Sequence, residues 1–190
     1  MKKLAILFLC GFIFLQIGFG ANKNAVESMQ EEGILIGDNM GNLRLKDNIT
    51  RAEFLKVLIL ENYTESALYA EAIEPNFEDI SKTDWYSIYF GLASRKNMYS
   101  GQKKVMPNEQ IDLKEILKSI AVFQNKEIDE NELRDNYSKY LDKYFIKNVD
   151  LSVKVKRRDA FGLIKDIFND FNVDDSKEVE PKGKEVIKVR

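Results

Sequence analysis

The feature that most constrains the fold is a helix start that recurs along the chain. The segment ITRAE at 49–53 is followed by IDLKE at 111–115 and by VKRRD at 155–159. We call the spacing from position 51 to position 113 the first repeat interval, and the spacing from 113 to 157 the second. Internal similarity of this kind is typical of repeat architectures, in which each unit buries its apolar face against its neighbours. The sequence therefore predicts three related units.

The first of these segments carries the residues that begin a helix. Thr50 can accept from the free amides of the first turn, and Glu53 can reach back to the amide of Thr50, which together form a capping box. Arg51 then occupies the first helical position, where the helix dipole disfavours a cation by roughly 0.3 to 1 kcal/mol. Either Arg51 is solvated and a neighbour such as Glu53 or Asp47 offsets this cost, or it receives an anionic ligand beside the helix amides. The segment alone favours the first alternative.

Apolar spacing predicts amphipathic helices through most of the chain. Four stripes at helical spacing, each expected to be core, lie at 85–93, 113–120, 133–144 and 161–171. Between Ala52 and Leu60 apolar residues surround the predicted helix on most sides, so we expect this helix to be central and buried. The pattern indicates a mainly α fold with short extended pieces, such as GNLRL at 41–45, in the loops.

The two ends of the chain differ from the part between them. Residues 1–20 contain two lysines, an apolar run and small residues at 18 and 20, which is typical of a secretory signal cleaved after Gly20. The run is shorter than the roughly 20 residues of a membrane-spanning helix. A lipoprotein signal would use Cys10, but the bulky Leu9 before it disfavours this interpretation. After Asn172 the sequence is charged and poor in aromatic residues, so residues 173–190 are predicted to form a mobile tail.

Composition excludes several kinds of site. The only cysteine is Cys10 and the chain has no histidine, so the part after the predicted signal cannot form disulfides, thiolate nucleophiles, imidazole bases or the usual zinc sites. The whole chain has a net charge of −2, and removal of a signal with two lysines and no acidic residue makes the remainder more acidic. This argues against wholesale nucleic-acid binding, which only the basic cluster at 154–158 favours. Catalysis would need a pair of carboxylates, and no such pair stands out in a motif. We therefore expect no enzyme activity, no cofactor and no metal.

Residues 25–170 resemble S-layer homology (SLH) domains. The resemblance lies in the intact ITRAE, in the order of helix, glycine-containing turn and capped helix, and in the segment PNFEDISKTDWYSIYFGLASRKNMYSG at 75–101. It implies three helix-loop-helix units at 21–62, 63–125 and 126–172, arranged about a pseudo-threefold axis, with the second and third degenerate. It also implies a secreted cell-envelope protein, in the cell wall or periplasm, that binds an acidic, often pyruvylated, wall polysaccharide in the grooves between units.

The resemblance also assigns roles to particular residues. Arg51 is the first choice for a contact with the ligand carboxylate, whereas Thr50 and Glu53 shape the turn. Arg157 occupies the same position in the third unit, with Lys156 adding positive field; a solvated basic patch is the alternative. Leu113 in the second unit departs from the pattern and puts one groove in doubt.

Two further residues are candidates for contacts with the sugar. Trp85 can stack on a sugar ring, although at the head of an apolar stripe it is more often core. Asp79 can bond sugar hydroxyls or have only a turn role, and the same holds for Asp84. As a second hypothesis, the protein binds another envelope protein through degenerate grooves or its tail.

Overall fold

The described part of the computed structural model comprises residues 24–127, 129, 131–145 and 148–175, with side chains through residue 170. The predicted signal at 1–20 lies outside it. The helices are α1 (Ala25–Glu31), α2 (Arg51–Asn62), α3 (Glu65–Glu71), α4 (Ser87–Arg95), α5 (Leu113–Phe123), α6 (Leu133–Tyr144) and α7 (Arg157–Asp175). Over the same residues there is no strand, only three isolated β-bridges. The prediction of a mainly α fold is confirmed.

The helix starts follow the sequence closely. Thr50 caps α2 by accepting from the amide of Glu53, whose carboxylate accepts from the Thr50 amide, so the predicted capping box is present. Asp112 caps α5 in the same way by accepting from Glu115. Half of α2 is buried, and it packs against both α4 and α7, as expected of a central helix.

The structure differs from the sequence prediction in four details. α4 begins at Ser87 and not at Trp85, whose side chain is 55 % exposed and therefore not core. α7 continues to Asp175, beyond residue 172, where the tail was expected to begin; residues 176–190 lie outside the described part. The segment at 41–45, expected to be extended, forms no strand, and helix α3, capped by Thr64, was not predicted.

A closed ring of three backbone hydrogen bonds joins the residues two positions before α2, α5 and α7. The amide of Ile49 donates to the carbonyl of Val155 (2.9 Å), that of Val155 to Ile111 (3.4 Å), and that of Ile111 to Ile49 (3.1 Å). All three side chains are fully buried. Three segments that lie far apart in the sequence therefore meet at the centre of the molecule.

Outside this ring, the first two amides of each of these helices donate to a loop from elsewhere in the chain. Free amides at a helix start need acceptors, and here the loop supplies them. The acceptors are the carbonyls of Glu109 and Pro107 for α2, of Val153 and Leu151 for α5, and of Asp47 and Leu45 for α7. Among the helix contacts, α4 packs on α2, α6 on α5 and α1 on α7, while α7 packs on α2 and α6 as well. Among the described residues, no helix has both the length and the hydropathy to cross a membrane.

Candidate binding grooves

Arg51 makes an internal ion pair. Its Nε and Nη2 donate to the two carboxylate oxygens of Glu115 at 2.5 and 2.8 Å, and Nη1 donates to the carbonyls of Val105 and Met106, both at 2.7 Å. The side chain is only 14 % exposed. The hydrogen bonds to Glu115 raise the pKa of Arg51 against the opposing effect of burial. The interpretation that Glu53 or Asp47 offsets the dipole is corrected, because the partner lies on α5, far away in the sequence.

Arg157 repeats this arrangement at the start of α7. Its Nε donates to the carbonyl of Leu43 at 2.8 Å, and Nη1 lies 2.6 Å from Oε2 of Glu53, an ion pair without aligned hydrogen-bond geometry. Leu43 and Glu53 precede Val105 and Glu115 by the first repeat interval. Each arginine therefore joins its helix to the loop and the acidic helix start of another segment.

Asp79 holds the loop that receives Arg51. Its carboxylate accepts from the amide of Val105 at 3.1 Å and from that of Met106 at 2.7 Å, while Arg51 donates to the carbonyls of the same two residues. This anchors Met106 in the left-handed region, with φ of 49°. Asp79 thus has a structural role, but a long-range one and not the turn role that was its alternative; its contact with a sugar stays a prediction.

A groove of about 410 Å³, here called groove 1, opens beside the pair of Arg51 and Glu115. Its described lining contains four cations and two carboxylates, although the chain as a whole has a net charge of −2. The charged lining residues are Arg51, Lys104, Lys114, Lys118, Asp112 and Glu115. The groove thus concentrates positive charge on an acidic protein, which favours an anionic occupant.

A second groove of about 240 Å³, groove 2, lies beside Arg157. It contains Lys56 and Glu53, which precede Lys118 and Glu115 of groove 1 by the first repeat interval. Trp85 lines this groove, and Nζ of Lys56 lies 6.0 Å from the centre of its indole ring. An exposed aromatic face beside cations is suited to a sugar that carries an acidic group.

A third cavity of about 480 Å³, groove 3, is lined from α1, α6 and α7 and has different chemistry. Gly162 stands where grooves 1 and 2 have a lysine, and the ring of Tyr144 fills the space, since a Cβ on Gly162 would lie 2.2 Å from that ring. The Tyr144 hydroxyl donates to Asp166 at 2.7 Å. Leu113, in the position of Arg51 and Arg157, is fully buried and does not belong to the described lining of groove 3.

The remaining predicted site residues lie apart. Lys156 donates to the carbonyl of Lys46 at 2.9 Å, Lys154 lies 3.9 Å from Asp112, and Arg158 lies 3.5 Å from Asp159. The basic residues at 154, 156 and 158 therefore contact different partners, and the solvated basic patch stays an alternative.

Sequence reasoning missed all six lysines in the described linings of the three grooves, namely Lys56, Lys104, Lys114, Lys118, Lys143 and Lys165. The first repeat interval relates Lys56 to Lys118. This relation was the signal that could have identified both as groove residues. No comparable relation points to Lys104.

Within the described ranges, no cluster of three or more His, Cys, Asp or Glu residues could hold a metal ion. The sequence matches no protein-family model, and no curated protein is significantly similar to it.

Proposed function

We propose that the protein is a secreted, non-catalytic component of the cell envelope that binds an acidic, pyruvylated wall polysaccharide. In this proposal it consists of three SLH-like units, at 21–62, 63–125 and 126–172, about a pseudo-threefold axis, and the glycan occupies the grooves between units. The observation that carries the proposal is groove 1, in which an acidic protein presents four cations around an open cavity.

The proposed architecture is supported by the backbone. The ring through Ile49, Ile111 and Val155 relates the three helix starts in cyclic order, and the donors and acceptors around it recur at the two repeat intervals. The pairs of α2 with α4, α5 with α6 and α7 with α1 are consistent with this order, although α7 packs on α2 and α6 as well. We call the place where the start of α2, α5 or α7 meets the loop that accepts from its first amides a junction. Three related units would produce a cavity at each junction, and the three grooves have Glu115, Glu53 and Asp159 in their linings.

The proposed ligand is supported by the charges and by the indole ring. Arg51 is tied to Glu115, so its contribution is to shape the wall of groove 1 and to add positive field. Lys104 and Lys118 carry ammonium groups on flexible stems that can reach a carboxylate ligand. In groove 2 the exposed Trp85 offers a stacking surface in the same lining as Arg157.

The test is co-sedimentation of the purified protein with insoluble wall fragments that retain their polysaccharide, prepared with and without its pyruvyl groups. We expect binding to the pyruvylated polymer and at least about a tenfold loss when the pyruvyl groups are removed, which corresponds to one strong charged contact of about 1.4 kcal/mol. Lys104→Glu in groove 1 should weaken binding. Lys103→Glu, an equal charge change on the exposed neighbour outside the described lining, should not. Equal binding with and without pyruvyl groups would reject the acidic ligand.

A protein partner in the envelope is the second candidate. Groove 3 favours it, because the ring of Tyr144 fills the space beside Gly162 that a lysine occupies in grooves 1 and 2. A protein that binds no wall fraction, but is retained on envelope proteins in a manner sensitive to substitution in groove 3, would support this candidate over the first.

A further inference from the structure

The junction at the start of α5 lacks the arginine that the other two junctions share. At the starts of α2 and α7, Arg51 and Arg157 donate to the carbonyls of Val105 and Leu43. The matching carbonyl at the third junction is that of Val149, which follows Val105 by the second repeat interval. Leu113, in the arginine position, cannot donate to it. A carbonyl of a buried residue without a donor destabilises the fold, so this junction requires another donor.

Arg134, on the first turn of α6, supplies it. Its Nη2 donates to the carbonyl of Val149, a residue that is only 6 % exposed. We propose that Arg134 takes the place of the arginine missing at position 113 and is the positioning residue that holds the loop at 148–153 against the start of α5. The guanidinium reaches the matching acceptor from a different helix, while Leu113 contributes a fully buried apolar side chain.

The position of this loop matters for α5. The carbonyls of Val153 and Leu151 accept from the first two amides of α5, those of Leu113 and Lys114, at 3.0 and 2.8 Å. A charged donor on Val149, two positions before Leu151, fixes the path of the chain that carries these acceptors. Loss of Arg134 should therefore loosen the start of α5 and leave the starts of α2 and α7 intact.

The first test is Arg134→Ala, with amide hydrogen exchange and thermal unfolding of the purified protein as measurements. We expect exchange at Leu113 and Lys114 to become at least about tenfold faster, while Arg51 and Ala52 keep their rates, and the unfolding midpoint to fall by about 5 °C. Faster exchange spread evenly over the three helix starts would overturn the proposal.

The matched control for this test is Arg95→Ala. It removes another arginine that donates to a backbone carbonyl, that of Glu71 at 3.1 Å. It should leave exchange at Leu113 and Lys114 unchanged. An equal acceleration at these two amides would show that the loss of any such arginine loosens α5, which would also overturn the proposal.

The second test asks whether the two positions are interchangeable. Leu113→Arg places an arginine at the position that Arg51 and Arg157 occupy in the other junctions, and it should compete with Arg134 for the Val149 carbonyl. We expect Leu113→Arg combined with Arg134→Ala to unfold at a higher temperature than Arg134→Ala alone, which is a coupling that two independent structural losses cannot produce. If the combined variant is less stable than Arg134→Ala, or does not fold, Arg134 does not replace the missing arginine.

Discussion

Arg51 and Glu115 lie on different helices, and their side chains form a two-point ion pair between the first turns of α2 and α5. The arginine side chain is 14 % exposed and the glutamate side chain 26 %. The guanidinium that the dipole of α2 disfavours is therefore stabilised by a carboxylate and two carbonyls from another part of the fold.

Arg51→Ala should destabilise the protein by about 3 kcal/mol, because it leaves Glu115 without its cationic partner and removes the donor to the carbonyls of Val105 and Met106. Chemical denaturation measures this loss. Lys82→Ala is the control, since the pair of Lys82 with Glu74 has both side chains largely exposed and should contribute less than about 1 kcal/mol. Equal effects of the two substitutions would contradict a structural role for Arg51. Binding tests with Arg51→Ala therefore need a parallel check of folding.

Trp85→Ala should weaken glycan binding about tenfold and leave stability nearly unchanged, because the indole is 55 % exposed in groove 2 and its stacking is available to a ligand. Isothermal titration with the wall polysaccharide measures the affinity. Tyr69→Ala removes another exposed aromatic side chain, 67 % exposed and outside the described lining of groove 2, and should keep the affinity of the unchanged protein. Unaltered affinity in Trp85→Ala would remove groove 2 from the proposed site.

Gly162→Ala should change stability with a sign that depends on Tyr144. In the unchanged protein the added Cβ would lie 2.2 Å from the Tyr144 ring, and the resulting overpacking should cost about 1 to 3 kcal/mol. In a Tyr144→Ala background the same substitution should stabilise α7 by about 0.5 to 1 kcal/mol, since alanine is the better helix former. Denaturation of the four proteins measures both steps. The same sign in both backgrounds would show that Tyr144 does not fill the space beside Gly162.

Tyr137 should make folding sensitive to alkaline pH. Burial raises its pKa from 10.0 to about 12, and its hydroxyl donates to Gln124 at 3.1 Å. The unfolded chain then loses this proton before the folded protein does, so the contribution of Tyr137 to stability is complete below about pH 10 and declines as the pH rises towards 12. The difference in unfolding free energy between the unchanged protein and Tyr137→Phe should shrink across this interval. A difference independent of pH would show that the hydroxyl titrates alike in both states.

The parts of the fold that sequence could predict are those with a local cause. Caps at Thr50 and Asp112 are set by side chains within three positions of the amides they satisfy, and the helical stripes follow from spacing alone. The helical spacing of apolar residues placed Trp85 at the beginning of α4. In the structure Asp84 accepts from the amide of Ser81 and belongs to the turn before α4, so the helix begins later.

The candidate site could be predicted only in part, because its contacts join distant segments. The pairing of Arg51 with Glu115 depends on how α2 meets α5, and no local pattern contains that information. The first repeat interval could have predicted further groove residues. It relates Leu43 to Val105 and Lys56 to Lys118, and in each pair the first residue lines groove 2 and the second lines groove 1. Neither repeat interval points to Arg134. The intervals relate Arg51 and Arg157 to position 113, whereas Arg134 lies on α6 and donates to the carbonyl of Val149 from there.

The ring of three backbone hydrogen bonds also limits how early in synthesis the chain can finish folding. The acceptor for the amide of Ile49 is on Val155, far downstream, so the start of α2 stays without this bond until residue 155 has been synthesised. Pairing across such a long loop is slow. A chain cut short before Val155 would leave two of the three ring hydrogen bonds unmade. We therefore expect the three helix starts to become fully ordered together, in one late folding step.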